Sequence, residues 1–197
     1  MDRTAIRSTI GLAVTAVSSR VAGSGIPSWD ASTFRAINGL PGWLAPVAWL
    51  PMQAGALASP LVIGAVHAWR GDLRRAVRVG GAGVAAWGAA KAVKRAVGRG
   101  RPGDHLDGIE LRLGSADVGL GFPSGHAAVA AGIAAAWDAE DPRLGTALST
   151  LAATVGLARI HVGAHYPLDV IGGWAMGMAL GDLARMADDW SLTRPPT

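Results

Sequence analysis

The sequence contains no cysteine, one tyrosine, two phenylalanines and few charged residues, which make up 16% of its 197 residues. Without cysteine the chain forms no disulfide, thiolate metal site or cysteine nucleophile. With so few tyrosines and phenylalanines it lacks an aromatic platform for stacked bases, so we expect no nucleic-acid partner. Half of the residues are hydrophobic and 16% are charged, whereas in soluble domains about a quarter of the residues are charged. The composition therefore favours a membrane protein.

The chain is basic, with a net charge of +4. A basic protein of this kind suits an anionic membrane surface or a phosphorylated substrate. The length fits one domain, 1–197, because no repeat or linker divides the chain. These features predict a single-domain protein whose partners are membrane lipids or phosphorylated molecules.

Apolar stretches predict an all-α polytopic membrane helix bundle with about six transmembrane helices. The clearest stretch runs from Ala36 to Trp69 without Asp, Glu, Lys or Arg, which is ample for one spanning helix. A short helix within 26–44 is expected to lie at the membrane interface. The predicted limits of the long helices are roughly 5–22, 42–69, 76–97, 125–138, 144–161 and 167–187.

Two terminal features leave alternatives open. The N-terminal basic residues followed by an apolar run, 10–17, fit a signal peptide or an uncleaved first helix, and the lack of a clean cleavage site favours the helix. Near the other end, Gly173, Gly177 and Gly181 form a stripe typical of close helix packing. The stripe is a candidate contact in a homo-oligomer, although packing within one chain is the favoured interpretation.

With six membrane-spanning helices, the polar connections between successive helices fall at the two faces of the membrane. The long Gly-rich loop 98–124 and the turn 161–167 fall on one face, and the connections 70–78 and 138–143 fall on the other. Polar residues from distant parts of the sequence therefore meet at the first face.

The first polar stretch of that face is KRAVGRGRP, residues 94–102. Five basic residues between 91 and 101 repel one another unless an anion compensates them. One interpretation is a basic patch on the membrane surface. The other is phosphate binding, since Arg offers a planar fork of donors and Lys a point charge.

The second polar stretch is GFPSGH, residues 121–126. Ser124 is typical of a helix N-cap before the Ala-rich segment that follows. The unpaired N–H groups of a helix start favour a phosphate. Capping explains Ser124, but it does not explain His126, which would project from the first turn.

The third stretch, GLARIHVGAHYPLDVIGG, covers residues 156–173. His161, His165 and Asp169 are spaced as zinc ligands on one helix would be. Pro167 argues against a shared helix, because proline disfavours helical geometry at the preceding residue and suits the first turn of a new helix. A His–Asp pair also fits a role in which the carboxylate keeps one imidazole nitrogen protonated and leaves the other as a nucleophile or base.

The three stretches together resemble the type 2 phosphatidic acid phosphatase (PAP2) superfamily, which also contains the vanadium haloperoxidases. Residues 94–102 match its K-x6-R-P pattern, residues 123–126 match P-S-G-H, and residues 159–169 match R-x5-H-x3-D. Ala158 is a departure, since the family usually has Ser there. The motif core covers about 80–185.

This resemblance implies a metal-free mechanism without a cofactor. His165 would attack phosphorus, Asp169 would orient its imidazole, and His126 would protonate the leaving group. His161 has no role in this scheme and is expected to be structural. The residues implied to hold the phosphate are Lys94, Arg101, Ser124, Gly125 and Arg159.

A site at a membrane face suits a substrate with a lipid tail and a phosphate head. The resemblance suggests a polyprenyl phosphate or diphosphate, phosphatidate or phosphatidylglycerol phosphate. The Ala/Gly/Arg-rich composition is typical of a bacterium with a high GC content, and this favours the polyprenyl carriers of bacterial cell-wall synthesis. With the three motif cations set aside, six basic residues lie on the site's side and nine on the other, so we expect a cell-membrane protein with an extracytoplasmic site. The alternatives are a vanadate-dependent haloperoxidase, a non-enzymatic transporter and a zinc hydrolase.

Overall fold

The computed structural model describes residues 3–115, 118–137 and 142–193, and these residues form helices and loops without any strand. The predicted all-α bundle is confirmed. The helices are α1 Arg3–Gly23, α2 Ser28–Asn38, α3 Leu44–Met52, α4 Ala58–Trp69, α5 Leu73–Arg75, α6 Gly81–Val97, α7 Gly125–Ala136, α8 Pro142–His161 and α9 Pro167–Thr193. A π-helical turn, Ala76–Gly80, joins α5 to α6.

The predicted helix 42–69 is wrong as a single element. The chain forms α3, a 3-10 turn at Gln53–Gly55 and then α4, with a bend of 53° between the two parts. The break lies at Ala56, whose backbone is extended with ψ 155°. The bend seats Gly55 against the start of α7, where an added Cβ would lie 2.5 Å from the His126 carbonyl oxygen.

The other five predicted helices are present with shifted ends. The predicted 125–138 ends at Ala136 within the described residues, and position 138 and most of the connection 138–143 lie outside them. The short helix expected within 26–44 is α2, and its place at the membrane interface stays a prediction. Gly98 ends α6 with φ +69°, a left-handed conformation that suits glycine after a helix.

Helix α7 is the centre of the bundle. Its residues are almost all buried, and α6, α8 and α9 pack around it, while α1 packs along α9. The α7–α9 contact depends on the glycine stripe: a Cβ at Gly173, Gly177 or Gly181 would collide with the backbone of α7 or of its N-cap. The favoured interpretation of the stripe as packing within one chain is confirmed.

Much of the outer surface is apolar. Exposed side chains on α3 and α4 include Leu50, Val62 and Trp69, the last 86% exposed. No single described helix is both long and apolar enough to cross a bilayer. The bent pair Leu44–Gly55 and Ala58–Trp69 meets the length and composition criteria when its two parts are taken together.

Candidate active site

Six of the eight sequence-predicted site residues line a cavity of about 200 Å³ at one end of the bundle. The cavity lies between the α3–α4 bend, α6 and the start of α7. A larger cavity of about 560 Å³ between α1, α8 and α9 has an apolar lining with no reacting group. The smaller cavity is lined by Gly55, Leu57, Trp87, Ala90, Lys91, Lys94, Arg101, Gly125, His126, Arg159 and His165.

Backbone carbonyl groups hold three of the cations in this cavity. Lys94 Nζ donates to the oxygens of Leu120 and Gly121, at 2.8 and 2.7 Å. Arg101 donates to the oxygens of Val118 and Ala164, at 3.1 and 2.8 Å. Carbonyl oxygens are neutral acceptors, so these bonds fix the side chains without cancelling their charge.

Arg159 is the most enclosed of the three cations. It lies in the last turn of α8, is 4% exposed, and donates to the Gly114 carbonyl oxygen. Its Nε is buried without a hydrogen-bond partner. An unpaired buried donor is costly, so an anion that enters the cavity would be favoured there.

His165 lies between α8 and α9 and is 2% exposed. Its Nδ1 is 3.4 Å from Oδ2 of Asp169, and the same Oδ2 accepts the backbone N–H of Tyr166 at 2.9 Å. With Nδ1 directed to the carboxylate, Nε2 is the nitrogen left for the cavity. Burial and the neighbouring cations, Lys94 foremost, hold the pKa of the His165 imidazole well below its usual range. The ring is therefore neutral and nucleophilic at neutral pH.

Asp169 is held by a buried network that the sequence did not reveal. Its Oδ1 accepts from Arg99 at 2.8 Å, and Arg99 also donates to Asp30 Oδ2 at 2.5 Å. Asp30 in turn accepts the backbone N–H of Leu168 at 2.8 Å. The Arg99 guanidinium lies 4.6 Å from the centre of the Tyr166 ring. These contacts tie α2, the long loop and the start of α9 together behind the His–Asp pair.

The start of α7 faces the cavity. The Ser124 hydroxyl accepts the N–H of Ala127 at 3.4 Å, which confirms the predicted cap. Ser124 is fully buried and does not line the cavity, so its role towards phosphate stays a prediction. Gly125 and His126 do line it. His126 stands in the first turn of α7, as expected.

His161 takes no part in this cavity. It ends α8, and α9 begins at Pro167, so the three predicted zinc-ligand positions do not share a helix. Its Nδ1 faces the Ile37 carbonyl oxygen at 3.2 Å. Within the described residues no group of three or more His, Asp or Glu side chains is arranged to hold a metal ion. The structural interpretation of His161 agrees with this position.

Sequence reasoning missed Asp30, Leu57 and Trp87, and it noted Arg99 and Lys91 only as members of the basic run. Asp30 occupies the first turn of α2, where an acidic residue is unremarkable. Only its complete burial beside Arg99 marks it as part of the site. No pattern in a single sequence carries that information.

Comparisons with known proteins agree with this geometry. Two curated relatives, the lipid A 1-phosphatases of Rhizobium etli and Rhizobium johnstonii, are each 39% identical over 92 residues, or 45% of this chain. The matched part spans only 39% and 37% of the length of those relatives.

Two solved structures share the fold at 22% sequence identity. Aquifex aeolicus LpxE has a TM-score of 0.69 and covers 78% of this chain and 92% of its own. A transmembrane PAP2 type phosphatidylglycerolphosphate phosphatase from Bacillus subtilis has a TM-score of 0.72 and full coverage of both chains. A family model described as the PAP2 superfamily matches residues 76–189, more than half of the sequence and all three motif stretches. The chain therefore belongs to the PAP2 superfamily.

Proposed function

We propose that this chain is an integral membrane lipid phosphatase, folded as one domain, that hydrolyses a polyprenyl phosphate or diphosphate through a phosphohistidine intermediate. One observation carries the proposal: three cations held by carbonyl groups surround a buried histidine whose other nitrogen faces a carboxylate. The net positive charge suits a phosphate, and the imidazole suits nucleophilic attack.

In the first step Nε2 of His165 attacks phosphorus, the P–N bond forms, and the bond from phosphorus to the leaving oxygen breaks. Asp169 accepts the Nδ1–H hydrogen bond and stabilises the positive charge that develops on the ring. Lys94, Arg101 and Arg159 stabilise the charge spread over the three equatorial oxygens. His126 gives its proton to the leaving oxygen.

In the second step water attacks phosphorus and His126 takes up the water proton. The P–N bond breaks, its electron pair returns to Nε2 of His165, and phosphate leaves. General acid–base catalysis of this kind contributes roughly 10²–10⁴-fold. Every step uses side chains of this chain.

A membrane location is supported by the apolar outer surface and by the bent apolar pair α3–α4. The excess of basic residues at the far end favours an extracytoplasmic site at the cell membrane. The relatives supply two competing substrates, lipid A and phosphatidylglycerol phosphate, because their names contain these lipids. Phosphatidate remains a third competitor.

The test measures phosphate release by detergent-solubilised protein in excess EDTA from polyprenyl diphosphate, polyprenyl phosphate, phosphatidate, phosphatidylglycerol phosphate and lipid A. We expect the polyprenyl substrates to give the highest kcat/KM. His165→Ala should abolish release, and a phosphate label trapped on the wild-type protein, stable in base and labile in acid, should be absent from this variant.

The matched control is His161→Gln, since His161 contacts a backbone carbonyl and not the cavity. A phosphohistidine enzyme keeps its activity in this variant, whereas a zinc site built on His161, His165 and Asp169 loses it. Activity that needs added zinc would contradict the mechanism. Activity restricted to phosphatidylglycerol phosphate or lipid A would reassign the substrate and leave the mechanism in place.

A further inference from the structure

A fourth cation, Lys91, lines the active-site cavity without a role in the mechanism above. It lies on α6 one helical turn before Lys94, so the two side chains share a face of the helix. Lys91 is exposed, whereas Lys94 is half-buried. The position places Lys91 at the mouth of the cavity and Lys94 inside it.

Lys91 differs from the three inner cations in how it is held. Its ammonium lies 5.4 Å from the centre of the Trp87 ring, and its contact within the described residues is this cation–π interaction. Each inner cation donates to at least one backbone carbonyl oxygen. An exposed cation–π contact is weak, so the Lys91 ammonium is available to a ligand.

The charge of the cavity exceeds what one phosphate needs. A phosphomonoester carries about −1.5 to −2 at pH 7, and the three inner cations already offset that charge. No carboxylate is among the described residues that line the cavity. The extra positive charge at the mouth therefore suits a second anionic group next to the scissile phosphate.

We propose that Lys91 binds the second phosphate of a lipid diphosphate and makes the site selective for diphosphates over monophosphates. The inference rests on the proposed function. Leu57 and Trp87 line the same cavity, and Trp87 beside Lys91 offers an apolar surface to the hydrocarbon that follows the second phosphate.

The chemistry gives this contact a specific effect. When His165 attacks the terminal phosphorus of a diphosphate, the P–N bond forms and the bond to the bridging oxygen breaks. The electron pair goes to that oxygen, so the departing lipid monophosphate gains negative charge. An ammonium at the second phosphate stabilises this charge in the transition state. A monophosphate with an alkoxide leaving group places no phosphate there.

The test compares Lys91→Met with a matched variant, Arg95→Met. Arg95 is also an exposed cation on α6 and lies outside the cavity lining. Initial release of the first phosphate is measured from a polyprenyl diphosphate, the corresponding monophosphate and phosphatidylglycerol phosphate. A charge-assisted hydrogen bond of ordinary strength predicts that Lys91→Met lowers kcat/KM for the diphosphate by about tenfold or more. For the monophosphate we expect a change below about threefold.

The proposal further requires that Lys91→Arg restores most of the selectivity and that Arg95→Met leaves the diphosphate-to-monophosphate ratio unchanged. Equal losses on both polyprenyl substrates would overturn it, as would an equal change of the ratio in Arg95→Met. A selective loss on phosphatidylglycerol phosphate alone would assign Lys91 to a phosphodiester and overturn the diphosphate assignment. Wild-type protein that releases phosphate from none of these lipids would overturn the proposed function, and this inference with it.

Discussion

The two ends of the bundle both carry arginines, but they hold them differently. At the end away from the cavity, Arg7 pairs with the fully buried Asp182, and Arg74 and Arg78 both pair with Asp188 at 2.5 and 2.6 Å. At the cavity the cations are held by backbone carbonyl groups.

The difference distinguishes cations that are paired with carboxylates from the cations proposed to bind phosphate. A carboxylate partner cancels the charge, so the paired end is stable without a ligand. A carbonyl oxygen is neutral, so it fixes the position of the cation without compensating its charge. The cavity end therefore keeps a positive potential that attracts an anion. Arg99 sits near the cavity but has two carboxylate partners, and its position behind Asp169 agrees with a structural role.

The largest expected effect comes from removing an inner cation of the cavity. Arg159→Met should lower kcat/KM about 10²–10³-fold, because one donor to the transition-state oxygens is lost. The free energy of unfolding should change by less than about 1 kcal/mol, because Arg159 has no carboxylate partner that the substitution would leave unpaired. Lipid phosphatase assays and thermal unfolding measure the two quantities. A large loss of stability with little loss of activity would contradict a phosphate-binding role for Arg159.

A smaller effect, on stability and not on activity, is expected at the end of the bundle where carboxylates pair with arginines. Asp188→Asn leaves Arg74 and Arg78 close together without a negative charge between them. We expect the free energy of unfolding to fall by about 1–2 kcal/mol, a reduced value because Arg74 is 41% exposed. The kcat/KM of the folded protein should stay within about twofold of the wild type. Denaturant unfolding measures the free energy of unfolding, and a phosphatase assay at a temperature where both proteins are folded measures kcat/KM.

The smallest expected effect is on the pH profile. Since burial and nearby cations lower the pKa of His165, its imidazole stays neutral to lower pH than a free histidine, whose pKa is about 6.5. The acid limb of kcat/KM should therefore lie below that value. In Arg159→Met one of the lowering charges is gone, so the pKa of His165 rises and the limb moves to higher pH. A limb at or above pH 6.5 in the wild type, or one that does not move in the variant, would contradict the assignment of His165 as the nucleophile.

The sequence predicted the helices with the strongest local signals. Pro167 at the start of α9, Gly98 at the end of α6 and Ser124 before α7 are residues whose preferences depend on the chain nearby. The charge-free run 36–69 predicts one span, but Pro51, Gly55 and Pro60 on either side of Ala56 are helix-breaking residues that are compatible with the bend. The bend brings Gly55 against His126, a contact between residues far apart in sequence.

The motifs also predicted the family, which the match over residues 76–189 confirms. What the motifs did not contain is the support behind them. Asp30 is far from every motif, and only the folded chain brings it to Arg99. The carbonyl groups that hold Lys94 and Arg101 belong to the backbone, which has no signature in the residue types.

The sequence by itself determined the helical bundle and the family, and it supplied the residues proposed to carry the phosphate chemistry, because periodicity, capping and spaced motifs are local properties of the chain. Only the tertiary structure showed that a carboxylate compensates the charge of Arg74 and Arg78, whereas backbone carbonyl oxygens hold Lys94 and Arg159. That outcome depends on whether a carboxylate or a carbonyl oxygen lies within hydrogen-bond distance, and such distances are fixed by packing between remote segments. Lys91 at the mouth and Arg99 behind the His–Asp pair come from the same basic run, and only their neighbours in space assign them different roles.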